Sequence, residues 1–331
     1  MKRISAVVIG VLLALTLSTP AFSQGGENNA WQAIQDDRNF QTKLQKMESF
    51  LSTYPNSAFR PDMDIQLMTM YVQNKDWGKM TVKAERFRLD VPTADPKSRA
   101  QFYVLAMEAA RQVDNMAKMI EFGDRVLEAD ATNMSALLTL ARNISERLPQ
   151  DAAAKDTALN KALGYAKRAA QAPQGTIAAQ EWAAVQGRVH SILGNIYFVK
   201  NQIPEAGDEY AVALKINPKD QVGQFRLGIA QITRLQAGLL ALQAAMKDAE
   251  DAAKGPQAKL NELIDKREAL TKDILSQRDA AIDSLARTVA MGGPLAEPAR
   301  KQLETLYLNK NGGKPDGLDD FINQKKTELG L

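Results

Sequence analysis

The sequence predicts an all-α fold assembled from antiparallel helix pairs, and three observations support this. Apolar residues recur at intervals of three and four along most of the chain, and no segment shows the strict alternation of a half-buried strand. A helix–turn–helix spacing of about 34 residues recurs several times. The chain has no cysteine, which excludes disulfides, so burial of apolar side chains has to hold the fold together.

The stretch 187–218 shows this spacing most completely. Its first helix would carry Leu193, Gly194 and Tyr197, its second would carry Ala206, Tyr210 and Ala213, and Asn217 and Pro218 would end it. Small residues suit the points where two helices touch, and the tyrosines would fill the space between neighbouring pairs. The spacing resembles the tetratricopeptide repeat (TPR), although His190 stands where that family usually has tryptophan. The resemblance implies a right-handed superhelical solenoid of TPR-like helix pairs, since one pair cannot bury its own apolar face.

Other segments fit the same spacing less completely. Further repeats would begin near Pro61, Ala100, Met134 and Gln221. An insertion around 149–156 delays the second helix of the repeat that begins at Met134. Ahead of them, a single helix at 40–51 resembles the second half of a repeat, and the resemblance as a whole covers most of residues 40–308.

The fifth repeat differs, because its first helix continues without a turn. Its apolar positions then alternate between intervals of four and three, as in a coiled coil, at Leu235, Leu239, Leu242, Met246, Ala249 and Ala253. After a break at Gly255 and Pro256, a return seam runs through Leu260, Leu263, Leu270 and Ile274, with Arg267 at one apolar place. The pattern predicts a protruding antiparallel helical hairpin about 30 Å long. A flexible charged linker is the alternative.

These patterns divide the chain into six segments. They are a signal peptide at 1–23, a flexible lead-in at 24–39, the TPR-like solenoid at 40–235, the extended hairpin arm at 236–280, the end of the last repeat with a capping helix at 281–308, and a linker with a C-terminal helix at 309–331.

The first 23 residues predict export. Lys2 and Arg3 precede an apolar run of about a dozen residues, and Ala21 and Ser23 form a small-x-small cleavage site before Gln24. The run is shorter than the roughly 20 residues that span a bilayer, although an uncleaved anchor is the alternative. We expect a periplasmic or secreted protein with no integral membrane segment after cleavage.

The composition excludes several classes of function. Loss of the leader lowers the 42 basic residues to 40, against 39 acidic ones, so nothing predicts binding to nucleic acid. His190 is the only histidine, which excludes a histidine cluster, and the sequence has no glycine-rich phosphate loop. We therefore expect no enzyme activity, no cofactor and no metal, and we interpret His190 as a packing residue.

The resemblance implies that first helices line a concave groove for a partner peptide. Carried over by position, the lining is Gln101, Glu108, Arg111, Arg142, Arg188, Ser191, Asn195, Phe198, Phe225 and Ile229. The arginines and Asn195 predict a polar patch for a carboxylate or for backbone groups. Phe198, Phe225 and Ile229 are candidate apolar anchors, with core packing as the alternative. Some members of the family clamp a C-terminal carboxylate, and only Asn195 and Arg226 match that pattern here.

The predicted function is therefore an exported, non-catalytic scaffold that binds a protein or peptide in its groove, in envelope assembly or secretion. A ligand-binding or enzymatic repeat protein with a pocket in the groove is the alternative. Self-association through the coiled-coil face of the arm is a further expected contact.

Overall fold

The computed structural model describes residues 25–87, 96–252 and 257–331. The predicted signal peptide and the break at Gly255 and Pro256 lie outside the described residues. Within them the secondary structure is helical, with no strand, which confirms the all-α prediction. The helices are α1 (Gly25–Gln35), α2 (Phe40–Thr53), α3 (Arg60–Gln73), α4 (Trp77–Phe87), α5 (Pro96–Gln112), α6 (Met116–Ala129), α7 (Met134–Glu146), α8 (Ala152–Gln171), α9 (Ala179–Val199), α10 (Ile203–Ile216), α11 (Gln221–Ala252), α12 (Gln257–Ala290), α13 (Ala296–Lys310) and α14 (Leu318–Leu329).

The chain forms two compact units. Of the described residues, 25–87 and Ala109–Asp114 form the N-terminal unit, and 96–108, 115–252 and 257–331 form the C-terminal unit. The boundary therefore divides α5, whose last residues group with the N-terminal unit. Each unit is described by itself below.

The N-terminal unit begins with a helix where the sequence predicted a flexible lead-in. Gly25, Gly26 and two asparagines favour a loop, but α1 also carries Trp31 and Ile34. The Trp31 ring stacks on Phe59 with centroids 5.0 Å apart, and Ile34 is buried. Burial of these two side chains outweighs the weak local helix preference. As a result α2, predicted as a single helix, has α1 as its partner.

In the C-terminal unit, the helix pair α9–α10 corresponds to the stretch 187–218. Leu193, Ala206, Tyr210 and Ala213 are buried there, as the spacing predicted. A Cβ atom added at Gly194 would lie 3.0 Å from the Tyr210 ring, so the glycine permits the close approach of the two helices. Asparagine side chains cap α6 and α7 in the same unit: Asn115 Oδ1 accepts a hydrogen bond from the Lys118 amide, and Asn133 Oδ1 accepts one from the Ala136 amide.

The insertion that was predicted around 149–156 is mostly helical. α8 begins at Ala152 and is capped by Asp151, whose carboxylate accepts a hydrogen bond from the Ala154 amide at 2.8 Å. The second helix of this pair is therefore lengthened at its N-terminal end rather than preceded by a long loop.

α11 and α12 are the longest helices, with 32 and 34 residues, and they pack against each other in antiparallel orientation. A Cβ at Gly228 would lie 2.9 Å from Leu285, and one at Gly238 would lie 2.9 Å from Ile274. In both contacts the residue number on α11 and the residue number on α12 add up to about 512, as expected when two helices run in opposite directions. Beyond Leu235 most side chains of α11 are exposed. We call residues 236–280 the arm.

The register of the α11 seam differs from the prediction by one residue at alternate positions. Leu235, Leu242 and Ala249 are buried or partly buried as expected, but the residue three positions after each of them is small: Gly238, Ala245 and Ala252. The predicted Leu239 and Met246 are exposed instead. Small residues permit the two helices to approach closely, and this close packing decides the register.

The last two helices cover the end of α12. Leu303, Leu306, Leu318, Ile322 and Leu329 from α13 and α14 share one buried cluster with Ala281, Ile282, Leu285, Ala286 and Ala290 of α12. Ion pairs reinforce the contact: Lys325 lies 2.8 Å from Asp283, and Arg287 lies 2.5 Å from Glu328. α14 is thereby attached to α12 by both apolar burial and charge.

Candidate functional site

The predicted groove residues lie on the first helices of consecutive pairs. Gln101 and Glu108 lie on α5, Arg142 on α7, Arg188, Ser191, Asn195 and Phe198 on α9, and Phe225 and Ile229 on α11. Arg111 also lies on α5, within Ala109–Asp114, and therefore belongs to the N-terminal unit. α9 contributes the largest share of these residues.

α9 has one buried face and one accessible face. Val185, Val189, Leu193 and Ile196 recur at intervals of three and four and are buried. Arg188 is exposed on the other side, and Ser191, Asn195 and Phe198 are partly buried. The accessible face of α9 therefore carries a guanidinium, a hydroxyl, an amide and an aromatic ring at successive turns.

Arg226 of α11 connects this face to the neighbouring helices. Its Nη1 donates hydrogen bonds to Asn195 Oδ1 and to the Tyr210 hydroxyl, the latter at 2.7 Å. Its guanidinium lies over the Phe198 ring, 4.8 Å from the centroid. We call Asn195, Phe198, Tyr210 and Arg226 the Arg226 cluster. It joins α9, α10 and α11.

The electrostatics of the cluster follow from burial and from Arg226. Burial raises the pKa of the Tyr210 phenol, and the hydrogen bond from Arg226 opposes that rise without cancelling it. Tyr210 therefore remains a neutral phenol at physiological pH. The cation of Arg226 is not neutralised by any carboxylate among the described residues.

Arg226 also keeps hydrogen-bonding capacity. A guanidinium has five N–H donors, and both contacts in the cluster use Nη1. No described residue accepts a bond from its Nε or Nη2. The remaining donors have the fork geometry that suits a carboxylate or a peptide carbonyl.

The structure shows what several of the predicted residues contact within the chain. Asn195 was expected to face a ligand, but its side-chain oxygen already accepts from Arg226. Phe198 packs against the cluster of Ala206, Tyr210 and Leu214, so it is a partly covered ring and not a free anchor. Phe225 packs against the apolar cluster of α12–α14, which is the core alternative for that residue. The sequence pointed to Arg226 only through the family pattern. Its hydrogen bond with Asn195 joins residues 31 positions apart, and no local pattern predicts such a contact.

Two more predicted residues have local partners. Arg142 donates from Nε to Glu146 at 2.8 Å, one helical turn away on α7. Ser191 lies 3.5 Å from the carboxylate of Asp220, at the limit of a hydrogen bond. Arg188, by contrast, is exposed and has no hydrogen bond or ion pair with any described residue.

His190 is part of a pair rather than of a catalytic set. Its Nδ1 lies 2.6 Å from Glu209 Oε2, and both side chains are about three-quarters buried. The contact links α9 to α10 beside the TPR-like Gly194–Tyr210 packing. In the part of the chain that the structure describes, no group of three or more potential metal-ligating side chains comes together.

A separate cavity of about 340 Å³ lies between α10, α11 and α12. Its lining is Ala211, Leu214, Lys215, Pro218, Gln224, Leu227, Gln231, Ala280, Asp283, Ser284 and Arg287. None of the predicted groove residues is among them. The pocket that the ligand-binding alternative placed in the groove is therefore not this cavity.

None of the described helices is both long and apolar enough to cross a membrane.

Comparison with known proteins gives matches to structures only. No family model and no curated protein matches the chain. A tetratricopeptide repeat protein from Parabacteroides merdae matches 86% of this chain and 100% of its own, at 9% identity and a TM-score of 0.42. The C-terminal part of a TPR repeat-containing protein from Cytophaga hutchinsonii matches 89% and 98%, at 13% identity and a TM-score of 0.42. Both of these matched structures are of TPR repeat proteins.

Proposed function

We propose that the protein is an exported, non-catalytic scaffold that holds a segment of a partner protein against the accessible faces of α9 and α11. The observation that supports this is the Arg226 cluster. It presents free guanidinium donors beside an aromatic ring on a surface assembled from three helices. Such a surface recognises a peptide through its carbonyl or carboxylate oxygens and one apolar side chain.

The composition of the cluster fits protein recognition better than catalysis. Arginine is one of the residue types that dominate binding energy at protein interfaces, and Arg226 is partly buried beside the Phe198 ring. Arg188, which is exposed on α9 and has no partner among the described residues, adds a second cation to the accessible faces of α9 and α11. A segment with an acidic residue or a free carboxyl terminus would meet both cations.

The placement of the partner in the cell envelope rests on the leader. Cleavage before Gln24 would release the chain into the periplasm or the medium, where assembly or secretion components are available partners. The absence of cysteine suits either oxidising compartment.

A photo-crosslinking side chain at Arg188 tests the proposal, because this residue is exposed and makes no contact that the change would break. We expect one predominant crosslinked protein from native envelopes, and we expect it to disappear when Arg226→Ala is added. A crosslinker at Val212, an exposed residue of α10, is the control and should give none of that product. A product that persists in Arg226→Ala, or that forms equally at Val212, would contradict the proposal.

A further inference from the structure

The arm carries an apolar stripe that nothing in the described chain covers. Leu239 and Met246 are each 49% exposed and lie seven residues apart, so they share one side of α11. Together with the seam they give α11 three apolar or small positions in each heptad. An apolar face of three positions in each heptad is typical of a helix that packs against two neighbours, whereas a helix in a two-stranded coiled coil uses only two positions in each heptad. Along the arm, α12 provides only the first neighbour.

α12 contributes to the same face. In two right-handed helices that run antiparallel, the residues one position after each seam residue lie on the same side of the hairpin. Leu239 and Met246 each follow a seam residue of α11 by one position. Leu275, 44% exposed, follows the seam residue Ile274 by one position. These three side chains therefore form one surface, which we call the arm face.

The charges around the arm face are mixed and unpaired. A shallow depression on α12 is lined by Arg267, Glu268, Thr271, Lys272 and Leu275. Among the described residues between 236 and 276, no charged side chain forms an ion pair, unlike those at the base of the hairpin. A surface with both signs suits a partner of the same composition, and not a nucleic acid or an anionic membrane.

We infer that a second copy of this chain docks on the arm face, antiparallel, about a two-fold axis. A two-fold interface brings one patch against itself. An axis near residue 242 of α11 places Leu239 against the partner's Met246. The same axis passes near residue 270 of α12, because contacting residues of the hairpin sum to about 512. It therefore also places Glu268 against the partner's Lys272.

The size of the arm face sets the strength of this contact. Some 16 residues of α11 span about 24 Å, and two helices side by side are about 20 Å wide. Docking would bury about 500 Å² on each copy, or about 1,000 Å² in total, which is the lower limit for a specific interface. The dimer should therefore be weak and should form only at micromolar concentrations.

Sedimentation velocity of the purified chain from about 1 to about 100 μM tests the inference in the concentration range of a weak complex. We expect the wild type to shift from monomer to dimer across this range. Leu239→Glu with Met246→Glu should remain monomeric throughout. Ala237→Glu with Ala244→Glu is the matched control, because these two exposed residues are also seven positions apart but lie on the side of α11 away from the arm face, and it should dimerise like the wild type. Unchanged helical circular dichroism in all variants would show that the fold is retained.

Charge and crosslinking variants test the geometry. Glu268→Lys should weaken the dimer at least tenfold, and adding Lys272→Glu should restore it. Since the chain has no cysteine, Gln243→Cys near the axis should form a disulfide-linked dimer on mild oxidation, whereas Ala244→Cys should not. A wild type that stays monomeric at every concentration would overturn the inference, as would an Ala237→Glu, Ala244→Glu variant that loses the dimer equally. Either result is independent of crosslinking at Arg188.

Discussion

Arg226 shows how one residue can have both a structural and a binding role. It satisfies the hydroxyl of Tyr210, a buried residue, and the amide oxygen of Asn195, and it covers the Phe198 ring. Its other donors face no described acceptor. Removal of Arg226 should therefore affect both stability and partner binding.

The first prediction concerns the structural role of Arg226. Arg226→Ala leaves the Tyr210 hydroxyl without its donor, and the loss of a hydrogen bond at a buried polar group typically costs about 1–3 kcal/mol. We expect the free energy of unfolding to fall by that amount in urea titrations. Arg188→Ala is the control, since Arg188 has no described partner, and it should change stability by less than about 0.5 kcal/mol. Equal effects of the two substitutions would show that the cluster has no structural role.

At this scale the sequence predicts positions better than contacts. The resemblance to the TPR family put Asn195 and Phe198 in the lining of the predicted groove, and both side chains are partly buried on α9. The sequence did not show that Arg226 donates a hydrogen bond to the side-chain oxygen of Asn195, because that contact depends on how neighbouring helix pairs stack. Partner contacts between repeats are tertiary features, and a pattern within one repeat does not contain them.

The helices show where local pattern and packing disagree. α1 forms although its glycines and asparagines favour a loop, because Trp31 and Ile34 have apolar partners. In α11, hydrophobicity alone put Leu239 in the seam, whereas the close approach to α12 selects Gly238. A pattern of apolar residues predicts that a helix is amphipathic. It does not decide between adjacent registers when small residues compete with large ones.

The second prediction concerns glycines at helix contacts. A Cβ at Gly207 would lie 2.6 Å from the Cβ of Ala230, and neither atom can move without its helix. Gly207→Ala should therefore destabilise the protein by about 1–3 kcal/mol. Gly164 of α8 is exposed and has nothing within 4 Å of an added Cβ, so Gly164→Ala should stabilise by up to about 1 kcal/mol. Thermal unfolding of both variants measures this, and a stabilising Gly207→Ala would contradict the packing.

The attachment of α14 depends on ionised carboxylates. Burial of Asp283 opposes its ionisation, but hydrogen bonds from Lys325 and Arg287 outweigh that effect and hold its pKa below the ordinary 3.8. The hydrogen bond from Lys325 likewise lowers the pKa of Glu328. A carboxylate with a lowered folded-state pKa stabilises the fold above its unfolded pKa and ceases to do so as the pH falls through the folded value.

The third prediction follows from that sign. Stability in urea should fall as the pH drops below about 4, because the Asp283 and Glu328 carboxylates become protonated. Asp283→Asn removes one of these groups, so its stability should depend less steeply on pH over the same range. Parallel pH curves for the variant and the wild type would show that Asp283 does not contribute to acid unfolding.

For the whole molecule, the proposal depends on export. The fourth prediction is that the chain recovered from a periplasmic fraction begins at Gln24, which intact-mass measurement checks directly. Ala21→Arg should leave an uncleaved precursor, because a bulky charged residue does not fit the small-x-small site. A mature chain that still contains Lys2 and Arg3 would favour the uncleaved anchor.

Fold class and repeat spacing are readable from the sequence because both depend on local periodicity. The order of the helix pairs along the chain follows from the same spacing of about 34 residues. The groove as a whole is different, since Arg111 falls in one compact unit and the remaining predicted residues fall in the other. The proposed site is confined to α9, α10 and α11, because the Arg226 cluster joins these three helices.

The most direct test of the account is the affinity of the protein captured at Arg188 for three purified variants. Arg226→Ala should bind it at least tenfold more weakly than wild type, a loss of about 1.4 kcal/mol. Leu239→Glu with Met246→Glu should bind it like wild type, because the arm face lies outside the Arg226 cluster. Unchanged affinity for Arg226→Ala, or a loss confined to the arm variant, would contradict the claim that α9 and α11 hold the partner.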